Sequence, residues 1–221
     1  NNSQSIFISS GLFYDKTSWK INLLAGHQQN QLAWLGVSDS LIAIDRRTNA
    51  NSKERDRFTQ CLVQLQNRWK LNTCTTIQSS LYYTFLKGNY DFNLNNFLGL
   101  PTTNELYNYA FQSNLVGFFS NYTFSQKNIN WTTGMHANIY NRRHIGSEKT
   151  IGQLYKNTGY KNEWSIFSKI DYTLKRITFF ADLQYRYSSF DYKGEVALPK
   201  MTWQFFNPKA GLSFTTGNNT V

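Results

Sequence analysis

Apolar and polar residues alternate along most of this chain with a period of two. That is the spacing of a β-strand with one apolar face. The clearest stretch is 177–189, where Ile177, Phe179, Ala181, Leu183, Tyr185 and Tyr187 alternate with Thr178, Phe180, Asp182, Gln184, Arg186 and Ser188. The preceding stretch behaves alike: Trp164, Ile166, Ser168, Ile170, Tyr172 and Leu174 form one face, and Ser165, Phe167, Lys169, Asp171 and Thr173 the other. With Lys175-Arg176 as a two-residue turn, Ile170 meets Ala181, Ile166 meets Tyr185 and Trp164 meets Tyr187. On the polar face Lys169 meets Asp182, an expected ion pair. A one-residue slip would put every apolar side chain on the wrong face, so the match specifies a hairpin. Lys-Arg is nonetheless a poor turn sequence, because neither residue favours positive φ.

Two more hairpins follow. A turn at Asp15-Lys16 sets Leu12 against Trp19 and Ile8 against Leu23. A turn at Asn72-Thr73-Cys74 joins residues 57–71 to 75–90, with Cys61, Val63, Leu65, Trp69 and Leu71 on the face that carries Ile77, Leu81, Tyr83 and Phe85. Residues 108–124 are apolar on both faces. The pattern predicts about nine strands, at 3–14, 17–29, 57–71, 75–90, 108–124, 128–142, 162–174, 177–191 and 203–216. Soluble strands average about 5–6 residues, and a strand that crosses a bilayer needs about 9–11. Short turns near 15, 73, 126 and 175 alternate with long connections near 30–56, 91–107, 143–161 and 192–202. Sorting of this kind is expected of an outer-membrane β-barrel.

Composition sharpens the picture. Only 16% of the 221 residues are charged, and 17% are Phe, Trp or Tyr. The longest apolar run, 32–37, is six residues, whereas a membrane-spanning helix needs about 20. The polar strand faces carry Gln, Asn, Lys, Arg, Asp and His, which a dry core would hold only at several kcal/mol each. The sheet therefore reads as oily on one side and wet on the other. Trp164 and Tyr187 at one end, with Trp19 and Trp69 at the other, fit two aromatic girdles. Lys and Arg exceed Asp and Glu by 10, but the densest basic stretches (46–47, 53–57 and 142–144) are short and fall at loops. That pattern reads as solvated charge, with no nucleic-acid partner.

No catalytic spacing is present, so an enzyme is not expected. His27, His136 and His144 lack metal-ligand spacing, and no metal or other cofactor is expected. Cys61 opposes about Phe85 in the hairpin register, away from Cys74, so the two should stay reduced. The chain begins at Asn1 without Met or signal peptide and reads as a section of a longer protein.

Four stretches carry a family resemblance: residues 81–92 (LYYTFLKGNYDF), 140–149 (YNRRHIGSEK), 179–187 (FFADLQYRY) and 206–214 (FNPKAGLSF). Together they resemble TonB-dependent outer-membrane receptors in the form common in Bacteroidetes-like bacteria. The last resembles the Asn-Pro-Lys-x-Gly-Leu strand of such barrels, although Pro208 removes a ladder hydrogen bond and suggests a bulge or irregular strand start there. The resemblance implies an all-β, antiparallel transmembrane barrel of about 22 strands. Residues 1–221 would form part of that single barrel domain and supply about nine strands; the plug domain and C-terminal strands would lie outside it. An isolated section with two open edges is not expected to close alone.

The resemblance further implies the outer membrane of a Gram-negative bacterium and energy-coupled uptake of a scarce nutrient such as a siderophore, haem or vitamin. The partners would be outer-membrane lipid and lipopolysaccharide, a TonB-type energy-coupling complex acting through the plug, and the small nutrient ligand. Ligand contacts are expected from long loops and nearby wet-face residues: Trp34, Arg46, Arg47, Tyr90, Phe97, Tyr107, Arg143, His144, Tyr155 and Tyr160. Arg beside aromatic rings suits anionic, partly planar ligands. Two other readings stand beside this one: a passive porin-like channel, and a soluble all-β carbohydrate-binding module.

Overall fold

A computed structural model describes residues 2–32, 36–49, 51, 53–101 and 103–216. Nine strands form one antiparallel sheet in chain order: β1 (Asn2–Phe13), β2 (Thr17–Gln31), β3 (Arg55–Lys70), β4 (Thr75–Phe92), β5 (Tyr107–Gln126), β6 (Ile129–Glu148), β7 (Gly152–Leu174), β8 (Ile177–Lys193) and β9 (Met201–Phe214). Two short helices, α1 (Asp39–Ile44) and α2 (Leu94–Phe97), sit in the connections β2–β3 and β4–β5. The expected registers are present: Leu12 pairs with Trp19 and Ile8 with Leu23, Cys61 with Phe85, and Ile170 with Ala181. Both cysteines are free.

Among the described residues no apolar side chain is buried. Ile21, Leu65, Leu81, Phe118, Ile139, Ile166, Ile170, Leu183 and Leu212 all stand exposed, and the register places them on one face of the sheet. A soluble sandwich would bury such a face against a second layer. From Trp164 to Leu174 this face runs roughly 34 Å along the strand, or about 25 Å across a membrane at ordinary barrel tilt. That matches the apolar band of an outer-membrane barrel. Aromatic contacts mark its ends: Trp164 stacks on Tyr187 at 6.0 Å, and Tyr122 meets Trp131 edge-on at 5.5 Å.

The opposite face is polar, yet carries aromatic rings. Several lie over a glycine on the neighbouring strand. Phe111 lies opposite Gly88, Tyr82 opposite Gly117, Phe167 opposite Gly134, Tyr155 opposite Gly146 and Phe180 opposite Gly211. A Cβ built on each glycine would stand 2.1–2.9 Å from ring atoms. The rings thus pack over bare backbone, and β5 contributes one ring, Phe111, and one glycine, Gly117, to these pairs.

The structure departs from the sequence reading at several points. Residues 143–161 are no long loop: β6 and β7 stay paired to Glu148 and Gly152, with a register shift at Gly146/Ser147, and only 149–151 connect them. Above the membrane both faces meet water, so period-two patterning disappears while the ladder continues. Lys169 Nζ lies 3.5 Å from Asp171, two residues along its own face, and Asp182 is instead paired in register with Lys209 as well as Lys169. Lys175 adopts φ 56°, so the turn forms in spite of its sequence. Pro208 sits in register opposite Leu183 with no bulge. Thr215 donates its amide to Arg176 O across β8–β9. Bonded pairs alternate along an antiparallel ladder, so even-numbered Pro208 turns its nitrogen away from β8, and the β8–β9 ladder misses no donor.

Candidate functional site

The polar face of β4–β8 continues beyond the aromatic end of the apolar band, toward the long connections. Two cross-strand rows define this region. One runs Tyr90–Tyr109–Gly146–Tyr155, the other Gly88–Phe111–His144–Asn157. Tyr90 and Tyr109 have ring centroids 5.2 Å apart, Tyr107 stacks on Tyr109 at 6.5 Å, and Phe111 is 6.5 Å from His144. Bare Gly146 lets Tyr155 lie over the backbone, so the row forms a shelf.

One row below, the Arg142 guanidinium lies 4.4 Å from the Phe111 ring centre. Its Nε is buried without a hydrogen-bond partner. Tyr140, Arg142, His144, Lys161, Phe190 and Tyr192 line a cavity of about 270 Å³. It adjoins a second cavity of about 390 Å³, to which Tyr155, Glu195 and Val196 contribute and whose wall again includes His144, Asn157 and Tyr192. Lys161 Nζ is 3.0 Å from Glu163, which also accepts from Arg186, so one carboxylate is shared by two cations. Burial lowers the pKa of His144 and the adjacent Arg142 charge lowers it further; the imidazole is therefore neutral at pH 7. Arg142 makes no ion pair among the described residues. Burial, then Tyr109 and Tyr155, raises the pKa of Tyr90, which keeps its phenol as a donor. A cation with an unpaired donor among aromatic faces suits a planar ligand that carries an anionic oxygen.

Of the expected contact residues, His144 and Tyr155 line this cleft; Tyr90 shares the row of Tyr155, Tyr107 stacks on Tyr109, and Phe97 packs 5.7 Å from Phe92, the register partner of Tyr107. Arg143 and Tyr160 do not line it. Their strand positions turn them to the outer face, where Arg143 donates to Gln112 at 3.0 Å and Lys193 lies 5.5 Å from the Tyr160 ring centre. Arg46 and Arg47 occupy the turn after α1, exposed, with the Arg47 amide bonded to Asp45. Trp34 lies outside the described residues. Tyr109, Phe111, Arg142 and Tyr192 were missed. Parity could have found Arg142: Ile139 faces outward, so Arg143 does too, and Arg142 must face the cleft.

A buried polar latch was missed as well. Glu54, Asn51 and Asn93 are the most deeply buried large side chains. Glu54 accepts from Asn51 Nδ2 and, at 2.6 Å, from the Asn93 amide. Asn93 in turn donates to Thr103 O and Glu105 O. The β2–β3 and β4–β5 connections are thereby tied together beside the cleft. Among the described residues no group of three or more His, Cys, Asp or Glu could hold a metal ion.

No protein-family model matches the sequence, and no curated protein does. Solved structures do match the fold. The copper transporter OprC superposes with a TM-score of 0.73 at 10% identity, over 99% of this chain and 35% of its own. The ferric citrate transporter FecA in its unliganded form gives 0.70 at 9% identity, over 95% and 33%. BauA, the ferric preacinetobactin receptor from Acinetobacter baumannii, gives 0.65 at 8%, over 95% and 37%. The chain thus spans about a third of the length of these structures. The fold is that of a section of the barrel wall of TonB-dependent outer-membrane receptors.

Proposed function

We propose that this chain is a wall section of an outer-membrane receptor that imports a scarce nutrient, driven through a TonB-type complex. Residues 1–221 belong to one barrel domain, and the plug and remaining strands lie elsewhere in the full-length protein. The observation that carries this reading is the nine-strand sheet with no buried apolar side chain, exposed and oily outside and polar inside. It supports a barrel over a soluble carbohydrate-binding module, which needs a dry core. The named neighbours are transporters and receptors, which supports import over catalysis. The ligand class that fits the cleft is a planar anion held between Arg142 and the tyrosine shelf, with outer-membrane lipid and lipopolysaccharide around the wall.

The test starts from the full-length gene product in a Gram-negative host. Heat-modifiable migration in the outer-membrane fraction is expected; recovery as a soluble protein that ignores detergent overturns the barrel. Uptake under iron or carbon limitation then reads the cleft. Arg142→Gln should weaken ligand binding roughly ten- to hundredfold, the value of a buried charged hydrogen bond. Arg143→Gln, one residue away on the outer face, should leave binding unchanged.

A further inference from the structure

His144 lines both cavities of the cleft, two residues from Arg142 on the same face of β6. Both lie against one ring: the Arg142 guanidinium is 4.4 Å from the Phe111 centre, and the His144 ring 6.5 Å from it. The other two histidines hold hydroxyls. His27 Nδ1 is 2.9 Å from Thr59 Oγ1, and His136 Nε2 is 2.9 Å from Tyr82 Oη. Among the described residues no hydroxyl engages the His144 ring in this way, so its nitrogens face the cleft.

The charges around His144 are lopsided. On its own strand the nearest is Arg142. On β5 its register partner is Phe111, with Tyr109 in the row above. On β7 its partner is Asn157, with Tyr155 in the row above and Lys161 farther down, drawn to Glu163 at 3.0 Å. β8 contributes Phe190 and Tyr192. The connection after β8 supplies the one carboxylate, Glu195, exposed on the wall of the larger cavity; Lys156 on that wall occupies an outward strand position. Burial, then Arg142, therefore opposes protonation of His144 in the free protein. An anionic oxygen paired with Arg142 cancels that opposition and attracts the proton itself. Same-face neighbours on a strand stand roughly 7 Å apart, so an oxygen held between them lies about half that distance from each.

We propose that His144 is a second, proton-gated contact for the anionic group: capture takes one proton from water onto the imidazole, and the imidazolium and the Arg142 guanidinium hold the anion between them. The only covalent bond made is the imidazole N–H. This rests on the cleft reading and goes beyond it by coupling capture to pH. The pKa of His144 is then higher with ligand than without. Affinity rises as pH falls through the pKa of the liganded protein and levels off below that of the free protein.

The experiment uses the full-length, heat-modifiable protein and pyrene-1-sulfonate as the probe. It is planar and fluorescent, and it stays anionic throughout, so any pH dependence belongs to the protein. Binding should be roughly tenfold tighter at about pH 5 than at about pH 7.5, the effect of one pKa unit of coupling. Calorimetry in two buffers of different ionisation heat should show proton uptake with each probe bound. His144→Gln should erase both the pH ratio and the uptake. His144→Lys, a permanent cation, should also erase them, yet bind more tightly than wild type at the higher pH. His27→Gln, on the outer face, should keep both. Binding that Arg142→Gln weakens but that ignores pH, that weakens on acidification, or whose proton uptake survives His144→Gln, overturns the gated contact and leaves the cleft standing. A probe that does not bind wild type, or that binds Arg142→Gln equally well, overturns the cleft itself and this inference with it.

Discussion

The smallest repeating unit of this wall is a glycine under an aromatic ring. Its members are far apart in sequence, so neither residue announces its partner: Gly134 reads as a weak point in a strand, and Phe167 as a misplaced apolar residue on a wet face. Register joins them. The unit can be tested by adding one methyl group. At Gly134 a Cβ would lie 2.6 Å from the carbonyl oxygen of Ser120 and 2.9 Å from the Phe167 ring, so backbone must move. At Gly117 the close atoms belong to the outer end of the Tyr82 ring, at 2.2 and 2.3 Å, and the ring can swing away. Swinging breaks the 2.9 Å bond between Tyr82 Oη and His136 Nε2. Gly134→Ala should therefore destabilise by about 2–3 kcal/mol and Gly117→Ala by about 1 kcal/mol, the range of overpacking and of one lost hydrogen bond. Urea midpoints of the refolded full-length barrel check the order; equal losses would mean that the backbone contact does not matter. The same scale shows why the cleft was half legible. Tyr90, His144 and Tyr155 were found because aromatic and imidazole groups near a loop are conspicuous. Arg142 was passed over for Arg143 because a strand shows its two faces one residue apart, and chemistry alone does not say which face is which.

At the scale of elements, the sequence patterning finds every strand but not where each one ends. Alternation is imposed by lipid, so it persists only while a strand is in the membrane; β6 and β7 run on past it as a ladder wet on both sides. Their tip is held by Glu148, which accepts from the Thr150 hydroxyl, from the Thr150 amide at 2.9 Å and from the Ile151 amide at 2.8 Å. The Thr150 hydroxyl, then its amide, lead the bonds that hold Glu148 below the ordinary carboxylate pKa. A depressed pKa means that the stabilisation is present above the unfolded value and is lost as pH falls through the folded one. Exchange protection at Thr150 and Ile151, relative to the intrinsic rate at each pH, should fall at acidic pH, and Glu148→Gln should flatten that dependence. A pH-independent tip in wild type would show that the carboxylate does not hold it. The latch between the β2–β3 and β4–β5 connections is an element-scale feature of another kind. Its members, Glu54, Asn51 and Asn93, look like ordinary loop polars in sequence, since burial of a carboxylate inside a loop pair has no local signature. Glu54→Ala leaves the Asn93 amide buried without an acceptor, which costs about 1–3 kcal/mol. Limited proteolysis should then cut both connections faster, while the strands keep their protection. Faster cutting of the first connection alone would mean that the two are not coupled.

For the whole molecule, the decisive quantity is where its apolar surface faces. A soluble domain hides that surface in a core; this sheet has none and displays it on one side, with aromatic contacts at both ends. Nine strands in unbroken chain order leave β1 and β9 each paired on one side only. Edges of that kind are expected to be completed by further strands of a closed wall. This much was legible in the sequence, because period-two patterning and strand length are set by the membrane and not by tertiary detail. It also fixes the sign of a charge substitution by face. Ile170 lies on the oily side, opposite Trp131 and so toward the short-turn end of the band. A lysine there sits between the midplane and the rim, at about 1–2 kcal/mol. Gln184 lies on the wet side opposite Phe167, and a lysine there stays hydrated, within about 0.5 kcal/mol of wild type. Refolding of the full-length protein into phosphatidylcholine vesicles, read by heat-modifiable migration across a urea series, should shift strongly for Ile170→Lys and little for Gln184→Lys. If the shifts were equal, or reversed, the face assigned to lipid would be the wrong one. The cleft would then have to be sought on the side now given to the membrane.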